Sequence, residues 1–406
     1  MGDPGPMCLV PLASSRHTRT MKSDSAVGRL IALLALAVFS GALVTRLTDP
    51  LVTVLAQDLG GTAARTALLA SAFALPFALI QPILGPVGDA LGKRRVILIA
   101  VGLLTILLAA CAAAPDLGSL TVLRALTGLA AGGVNPLAIA LVADTAPAES
   151  RQVALSRLVA CAIGGQIAGG SAAALLEPYI GWRGVMLAAS VMAAAGFVTL
   201  LLGGRRFPAE PRRRFDPVTA AVGYMHIMRM PAARILYFSV AVEGGFVFGS
   251  FPYFAVELQA RGIGSTAEAG LAVAAFGVGG LIYAASAKQV LRLMGQNRMV
   301  LLGGTLCLLS FAGFAFAPTA HVFIGAGVGL GLGMFMIHNS IQTRVAEVAP
   351  GARGTAVALH AFHFFLGQTA GPVVFGLILH QAGARTAFLV GGVVLLSLAS
   401  LLASRR

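Results

Sequence analysis

Charged residues are scarce in this chain: Asp, Glu, Lys and Arg together make up only 11% of its residues. A soluble domain carries about 25%, because its surface has to stay in contact with water. Hydrophobic residues make up 57% of the chain, and 50 glycines are spread among them. Glycine is frequent in membrane bundles, where small residues let helix backbones approach closely. The composition therefore excludes an ordinary soluble protein and predicts one that is embedded in a membrane.

Cysteines are also few. Of the four in the chain, Cys111, Cys161 and Cys307 lie inside apolar segments. Their wide spacing excludes a disulfide framework and a zinc site. The sequence likewise has no phosphate-binding loop, which argues against ATP as an energy source. We therefore predict neither a metal nor an organic cofactor.

Twelve apolar segments are long enough to cross a membrane, which takes about 20 residues of helix. They predict an all-α integral membrane protein of twelve transmembrane helices. The longest polar stretch, which has five arginines between residues 205 and 214, follows the sixth segment and divides the chain into two six-helix bundles. The predicted spans are residues 28–55, 64–86, 95–114, 118–142, 152–176, 184–203, 233–255, 266–287, 299–317, 321–343, 355–379 and 385–403. The predicted domains are an irregular cytoplasmic N-terminal segment (1–27), a first bundle (28–203), a basic cytoplasmic linker (204–232) and a second bundle (233–406).

The basic residues lie mostly on one side of this arrangement. With both termini in the cytoplasm, 23 of the 29 lysines and arginines fall on the cytoplasmic side. Membrane proteins show this bias toward the cytoplasm, so it predicts the orientation. It also accounts for the net charge of +14 without nucleic acid as a partner. The Ala-, Gly- and Arg-rich composition is typical of a GC-rich bacterium and predicts a bacterial inner (plasma) membrane.

The two halves repeat each other. Gly165-Gln-Ile-Ala-Gly169 recurs as Gly367-Gln-Thr-Ala-Gly371, an offset of 367 − 165 = 202. Gly181-Trp-Arg183 is echoed by Gly383-Ala-Arg385 at the same offset, 383 − 181 = 202. Two homologous bundles related by an axis along the membrane normal imply a binding site at their interface.

A charged turn joins predicted spans two and three: Gly85-Pro-Val-Gly-Asp89-Ala-Leu-Gly92-Lys93-Arg94. With this turn, the chain after residue 27 resembles a transporter of the major facilitator superfamily. The likeness departs from the family pattern at Ala90, where a basic residue is usual. Arg124-Ala-Leu-Thr-Gly128 is similar to the family's fourth-helix motif, although Thr127 replaces a common Gln.

The resemblance implies that Gly85, Asp89, Gly92, Lys93 and Arg94 form a latch on the cytoplasmic face. A carboxylate there can meet the positive N-terminus of a neighbouring helix. A plain basic loop would explain the lysine and the arginines but not Asp89. The resemblance further implies alternating access, a cavity lined by spans one, four, seven and ten, and no enzymatic activity. The expected partners are a small-molecule substrate and the lipid bilayer, with the protein acting as a monomer.

Glu243 lies about ten residues into predicted span seven, which places it about 15 Å deep. A carboxyl at that depth that binds and releases a proton would couple transport to the proton gradient. A neutral glutamic acid bonded to a neighbouring helix for packing is the alternative. Asp49, in span one, is the second candidate for proton coupling.

Arg46 and Asp49 are three residues apart and are predicted to share one face of a helix in span one. With Arg124 of span four they predict a charged cluster along the pathway. Such a cluster could bind an anionic group, tune a proton site or neutralise itself as a structural network. Asp49-Pro50 could also end the regular helix.

Other polar and aromatic residues are predicted to line the substrate pathway. Asn135 and His338 correspond in the two halves, 338 − 135 = 203. Histidines can relay protons near neutral pH, although each could equally be a packing residue. Aromatic walls suit lipophilic ligands, although aromatics near helix ends are often interfacial anchors. The predicted pathway residues are Arg46, Arg124, Asn135, His338, His360, His363 and Phe246.

Glycines recur at small-xxx-small spacing in spans five and eleven. The pattern resembles the glycine-rich motif of the family's antiporters, although it is common in membrane bundles generally. Span five has Gln166 where the antiporter pattern places proline. The predicted packing residues are Gly165, Gly169, Gly367, Gly371 and Pro372.

The sequence therefore predicts a secondary transporter that works by alternating access. Its predicted activity is proton-coupled export of small lipophilic or drug-like compounds, with the proton gradient as the energy source. The alternative is a proton-coupled importer of a small metabolite or organic anion, held by Arg46 or Arg124. A polytopic membrane enzyme or sensor is less favoured, because clustered catalytic residues are missing.

Overall fold

The computed structural model describes residues 14–203 and 217–404, and these residues form helices without any strand. Two short 3-10 turns, Phe251–Tyr253 and Pro350–Ala352, interrupt the helical order. The α-helices are α1 (Ser14–Leu43), α2 (Val52–Asp58), α3 (Ala63–Leu91), α4 (Lys93–Ala112), α5 (Leu117–Gly132), α6 (Asn135–Thr145), α7 (Ala148–Gly203), α8 (Pro217–Arg229), α9 (Pro231–Ser250), α10 (Phe254–Ala260), α11 (Thr266–Phe316), α12 (Ala320–Val348) and α13 (Arg353–Ser404).

Eight helical stretches of the described chain are long and apolar enough to cross a membrane. Three of them, α7, α11 and α13, each bend back at a glycine and hold two predicted spans. The shorter apolar helix at residues 28–43, in α1, supplies the first span together with α2. The predicted all-α membrane fold of two six-helix bundles is confirmed.

The predicted domain bounds stay predictions, and residues 1–13, 204–216, 405 and 406 lie outside the described parts of the chain. Helix α1 begins at Ser14, so the second half of the N-terminal segment is helical and not irregular. Helix α8 lies within the predicted linker. Its Tyr224 hydroxyl donates to the Pro82 carbonyl at 2.6 Å. That carbonyl has no helical partner because residue 86 is proline and lacks an N–H.

The internal repeat is visible in the backbone. Six glycines of the described residues have φ between 65° and 91°, a conformation that other residues rarely adopt. Their offsets are 262 − 60 = 202, 295 − 92 = 203 and 383 − 181 = 202, so they form three pairs, one member in each half. The paired glycines are Gly60 with Gly262, Gly92 with Gly295, and Gly181 with Gly383.

The predicted packing glycines contact backbone in the same paired way. A Cβ on Gly169 would lie 2.0 Å from the Leu43 carbonyl oxygen, and one on Gly371 would lie 2.3 Å from that of Gly245. Gly165 meets the Phe39 carbonyl as Gly367 meets that of Ala241. The close contact of α7 with α1 is therefore repeated by α13 with α9, and neither leaves space for a side chain.

Gly371→Ala is expected to destabilise the folded protein by about 1–3 kcal/mol, because its methyl group overpacks the contact with α9. Gly85→Ala is the matched control, since a Cβ there has open space. Thermal unfolding in detergent should show a lower midpoint for Gly371→Ala alone. Equal midpoints for the two variants would contradict the packing role.

Span one is broken near Asp49-Pro50, where the sequence analysis allows the regular helix to end. Helix α1 ends at Leu43 and α2 begins at Val52, so Arg46 and Asp49 lie in an irregular connection. They do not belong to a regular helix, but their side chains lie on the same side of the chain, as predicted, with Arg46 Nη1 3.4 Å from Asp49 Oδ2. Pro50 cannot donate to the Arg46 carbonyl, which instead accepts from the Asp49 N–H at 3.3 Å.

Span seven is interrupted at the corresponding place. Helix α9 ends at Ser250 and α10 begins at Phe254, with Pro252 between them. Its offset from Pro50 is 252 − 50 = 202. Interrupted helices at equivalent positions in the two halves are typical of transporter binding sites.

Asp58, the last residue of α2, is hydrogen-bonded to α7. Trp182 Nε1 donates to Asp58 Oδ2 at 2.8 Å, and Arg183 donates to the same oxygen. These two hydrogen bonds hold the pKa of the Asp58 carboxyl below its ordinary value, and the one from Trp182 has the larger effect. We call this end of the bundle the Asp58 end and the opposite one, where α3 meets α4, the Asp89 end.

Candidate substrate and proton site

Glu243 and His338 form a pair between α9 and α12. The Glu243 side chain is fully buried, and its Oε2 lies 2.8 Å from His338 Nδ1. The other carboxyl oxygen, Oε1, is buried without a hydrogen-bond partner. A proton can therefore move between the carboxyl and the imidazole. The sequence analysis named both residues but missed their pairing, which no local pattern signals.

His360 extends this pair, whereas His363 points elsewhere. The His360 ring lies 5.1 Å from that of His338, and its Nε2 is buried without a partner. His363 Nδ1 donates to the Leu359 carbonyl at 2.7 Å, and its ring stacks on Tyr237. The structure thus places His360 beside the pair and His363 in packing.

Nowhere in residues 14–203 and 217–404 do three or more His, Cys, Asp or Glu come together as a metal site.

Arg46 reaches from the first half into the second. Its guanidinium pairs with Asp49 at 3.4 Å and donates to Gln368 Oε1 on α13. It also lies over the Phe248 ring of α9, 3.9 Å from the centroid. Its contacts across the interface were not predicted, because the partners lie some 200 or more positions away in the sequence.

Arg124 makes no ion pair with Asp49, although the two charges lie close enough to attract each other. It is fully buried, and both terminal nitrogens donate to the Val44 carbonyl at 3.2 Å. The guanidinium lies over Phe73, 4.4 Å from the ring centroid. Val44 directly follows α1, so the cation caps the C-terminal end of that helix, where a positive charge is favourable.

Asn135 and Phe246 lie in different surroundings. Asn135 begins α6, next to the break in span four, and its Oδ1 is buried without a partner. Phe246 lines an apolar groove between α9 and α13, together with Gly245 and Gly367. The aromatic residue of α9 that contacts Arg46 is Phe248, two positions further on. Phe246 therefore stays a predicted pathway residue, and Phe248 joins it as a contact of Arg46.

The predicted latch residues pair inside the first half. Lys93 Nζ contacts Asp89 Oδ1 at 2.5 Å and Asp144 Oδ2 at 3.0 Å. Gly92 supplies the turn, with φ 91°, and Arg94 lies beside it at the start of α4. Gly85 lies within α3, and a Cβ at this position would meet open space, so no close contact requires a glycine there in this conformation.

The two halves also touch at the Asp58 end. Gln259 Nε2 of α10 donates to Thr53 Oγ1 of α2 at 3.1 Å. Together with the contact between Arg46 and Gln368, this hydrogen bond joins the halves on that side. In this conformation Arg46 donates a hydrogen bond to Gln368 of the other half, whereas the Asp89 carboxylate pairs with Lys93 of its own half.

The family follows from the chain as a whole. A model of the Major Facilitator Superfamily matches residues 34–363. The chain belongs to the Major Facilitator Superfamily. Members of this superfamily are multi-pass membrane transporters of small molecules and not enzymes, as predicted. The crystal structure of nucleoside transporter NupG has the same fold, with a TM-score of 0.73 at 14% identity over 92% of this chain and 98% of that one.

Several curated proteins are similar to this chain in sequence. The gallate transporter of Pseudomonas putida is 35% identical over 141 residues, 35% of this chain and 31% of that protein. Puromycin resistance protein pur8 of Streptomyces alboniger is 35% identical over 160 residues, 38% and 30% of the two chains. The uncharacterized transporter YceJ of Bacillus subtilis is 24% identical over 85% of this chain and 88% of its own. The chain thus spans about a third of the first and second of these relatives.

Proposed function

We propose that this transporter is proton-coupled, with Glu243 and His338 as the proton site. The observation that carries the proposal is the 2.8 Å contact between Glu243 Oε2 and His338 Nδ1 beside the unpartnered His360 Nε2. Both groups change charge on binding a proton, and they belong to different helices of the second half. Protonation therefore changes the force between α9 and α12.

A coupled cycle follows from this arrangement. When the pair binds a proton from one side and releases it to the other, its charge differs between the two legs of the cycle. A buried net charge is costly, so the protonation state biases which conformation is stable. The energy source is then the proton gradient, with no bound cofactor. We further propose a monomer in a bacterial inner membrane with both termini in the cytoplasm.

The first candidate for the transported compound is a small lipophilic or drug-like molecule that is exported. The aromatic side chains around the pair support it, since His338 lies 4.8 Å from Phe364. The printed name of pur8, a puromycin resistance protein, supports export of such a compound. The second candidate is an organic anion that is imported. It is favoured by the two buried arginines near the interface and by the name of the gallate transporter.

Glu243→Gln is expected to abolish proton-driven accumulation while leaving downhill movement of the substrate. The amide cannot exchange a proton with His338, so the gradient no longer biases the cycle. Transport would be measured in membrane vesicles with an imposed pH gradient, using a lipophilic cationic dye and benzoate as separate probes. For the probe that is transported, the ratio of its concentrations inside and outside the vesicles should fall to about one in the variant. A protonophore should have the same effect on the wild type.

Glu177→Gln is the matched control, because this carboxylate lies on α7 in the first half, away from α9 and α12. It should keep wild-type accumulation of the same probe. A Glu243→Gln protein that still accumulates the probe in a protonophore-sensitive way would refute the assignment of the proton site.

A further inference from the structure

A small cleft lies between the two halves, beside the broken part of span one. Span one and α3 line it from the first half, and α9 and α13 line it from the second. Its wall is mostly aromatic and aliphatic, with two long polar side chains. The lining residues are Thr45, Arg46, Ala70, Phe73, Ala74, Phe248, Phe365 and Gln368.

The two long polar side chains of this cleft each have a donor without an acceptor. Arg46 Nε and Gln368 Nε2 are both buried and unpartnered, although the two residues contact each other through other atoms. Each residue is only 5% exposed, so water does not readily replace the missing acceptor. A buried donor left unsatisfied is costly, and such a donor in a native structure needs an explanation.

The charge of the surroundings favours an anion. Arg46, Asp49 and Arg124 are all nearly or fully buried, and together they carry two positive charges and one negative charge. Asp49 shares its Oδ2 with Arg46, while Arg124 donates to a backbone carbonyl. An anionic ligand would offset the remaining positive charge.

We propose that Arg46 and Gln368 bind the carboxylate of a small aromatic acid, which specifies the organic anion given above as the second candidate substrate. A carboxylate has two acceptor oxygens, and the cleft has two donors without an acceptor, one from each half of the protein. Arginine is a preferred partner of carboxylates. Phe73, Phe248 and Phe365 line the same cleft and would pack against the ring once the halves have drawn apart. The inference rests on the proposed transport function, because the halves have to draw apart before the ring can enter.

The site also has a consequence for the cycle. Arg46 and Phe73 belong to the first half, whereas Phe248, Phe365 and Gln368 belong to the second. A bound carboxylate therefore stabilises conformations in which the halves hold the cleft between them. This coupling of a ligand to one arrangement of the halves is what alternating access requires.

The test is binding of radiolabelled benzoate to the purified full chain in lipid nanodiscs, with benzamide as the uncharged competitor. Gln368→Leu removes one donor without changing the charge and should weaken benzoate binding roughly tenfold. Gln166→Leu is the matched control, because Gln166 occupies the equivalent position of the repeat, 368 − 166 = 202. It should bind benzoate like the wild type. Arg46→Lys keeps the charge but loses Nε, and it should also bind more weakly.

Benzoate binding that depends on Gln368 and Arg46 but not on Gln166, with no competition by benzamide, supports the proposal. Wild-type affinity in Gln368→Leu and Arg46→Lys overturns it. A wild-type protein that transports the cationic dye against a gradient but does not bind benzoate also overturns it, while leaving proton coupling intact. Conversely, Gln368→Leu could lose benzoate binding while Glu243→Gln keeps proton-driven accumulation. That result supports the carboxylate site and refutes the assignment of Glu243 as the proton site.

Discussion

Arg124→Ala is expected to leave transport at the background level and to destabilise the folded protein by roughly 3–5 kcal/mol. The variant loses both hydrogen bonds to the Val44 carbonyl, which is fully buried at the break in span one. It also opens a cavity beside Phe73, over which the guanidinium lies. The connection that holds Arg46 and Asp49 directly follows Val44, so loss of the cap displaces the site as well.

Stability would be measured by thermal unfolding in detergent and transport in vesicles with equal amounts of inserted protein. Arg124→Lys is the conservative comparison, because it keeps the charge but cannot donate two parallel hydrogen bonds. It should lie between the wild type and Arg124→Ala in both measurements. A stable Arg124→Ala protein with wild-type transport would show that the cap has neither role.

The net charge of the buried cluster gives a second test of Arg124. The cluster of Arg46, Asp49 and Arg124 has a net charge of 2 − 1 = +1 by its residue types. Asp49→Asn raises the charge to +2, Arg124→Gln lowers it to zero, and the double variant restores +1. The double variant is therefore expected to be more stable than the sum of the single effects implies, by about 1 kcal/mol or more. Strict additivity would mean that Asp49 and Arg124 do not interact.

The broad fold was predictable because its signals are local or repeated. Span length follows from the apolar segments, and the offset of 202 or 203 links Gly181 with Gly383 and Gly92 with Gly295, whose backbones indeed match. The breaks at Pro50 and Pro252 were only partly predictable. A proline restricts its own residue and the preceding one, but it does not tell where the helix before it ends. Helix α1 ends at Leu43, several residues earlier.

The candidate site was less predictable, because its contacts join distant helices. Depth in the membrane singled out Glu243, but only the packing of α12 against α9 reveals His338 as its partner. Gln368 was read as part of a glycine motif, and only the structure places its amide against Arg46. Periodicity distinguishes helical faces, yet Phe246 and Phe248 both lie on an apolar helix and their roles could not be separated by pattern alone.

Asp89→Asn is expected to lower transport about tenfold or more while leaving membrane insertion unchanged. A charge-assisted hydrogen bond contributes about 1.5–3 kcal/mol, and each 1.4 kcal/mol changes an equilibrium between conformations about tenfold. Lys93, which is only 14% exposed, contacts both Asp89 and Asp144 in the present conformation. Transport in vesicles and the amount of inserted protein would be measured together.

Asp144→Asn separates two explanations of that loss. Asp89 could act only by holding Lys93 within the first half. The loss of transport in each variant should then follow the strength of the contact that the replaced carboxylate makes with Lys93. Asp144 is 64% exposed and Asp89 is 39% exposed, so the contact with Asp144 is the weaker of the two. If Asp89 also meets a helix end of the second half when the Asp89 end closes, its loss should exceed that of Asp144→Asn by far more than exposure explains. We expect the second result, because an aspartate at this turn is not needed for a basic loop. Similar rates in Asp89→Asn and the wild type would reduce the turn to a determinant of orientation.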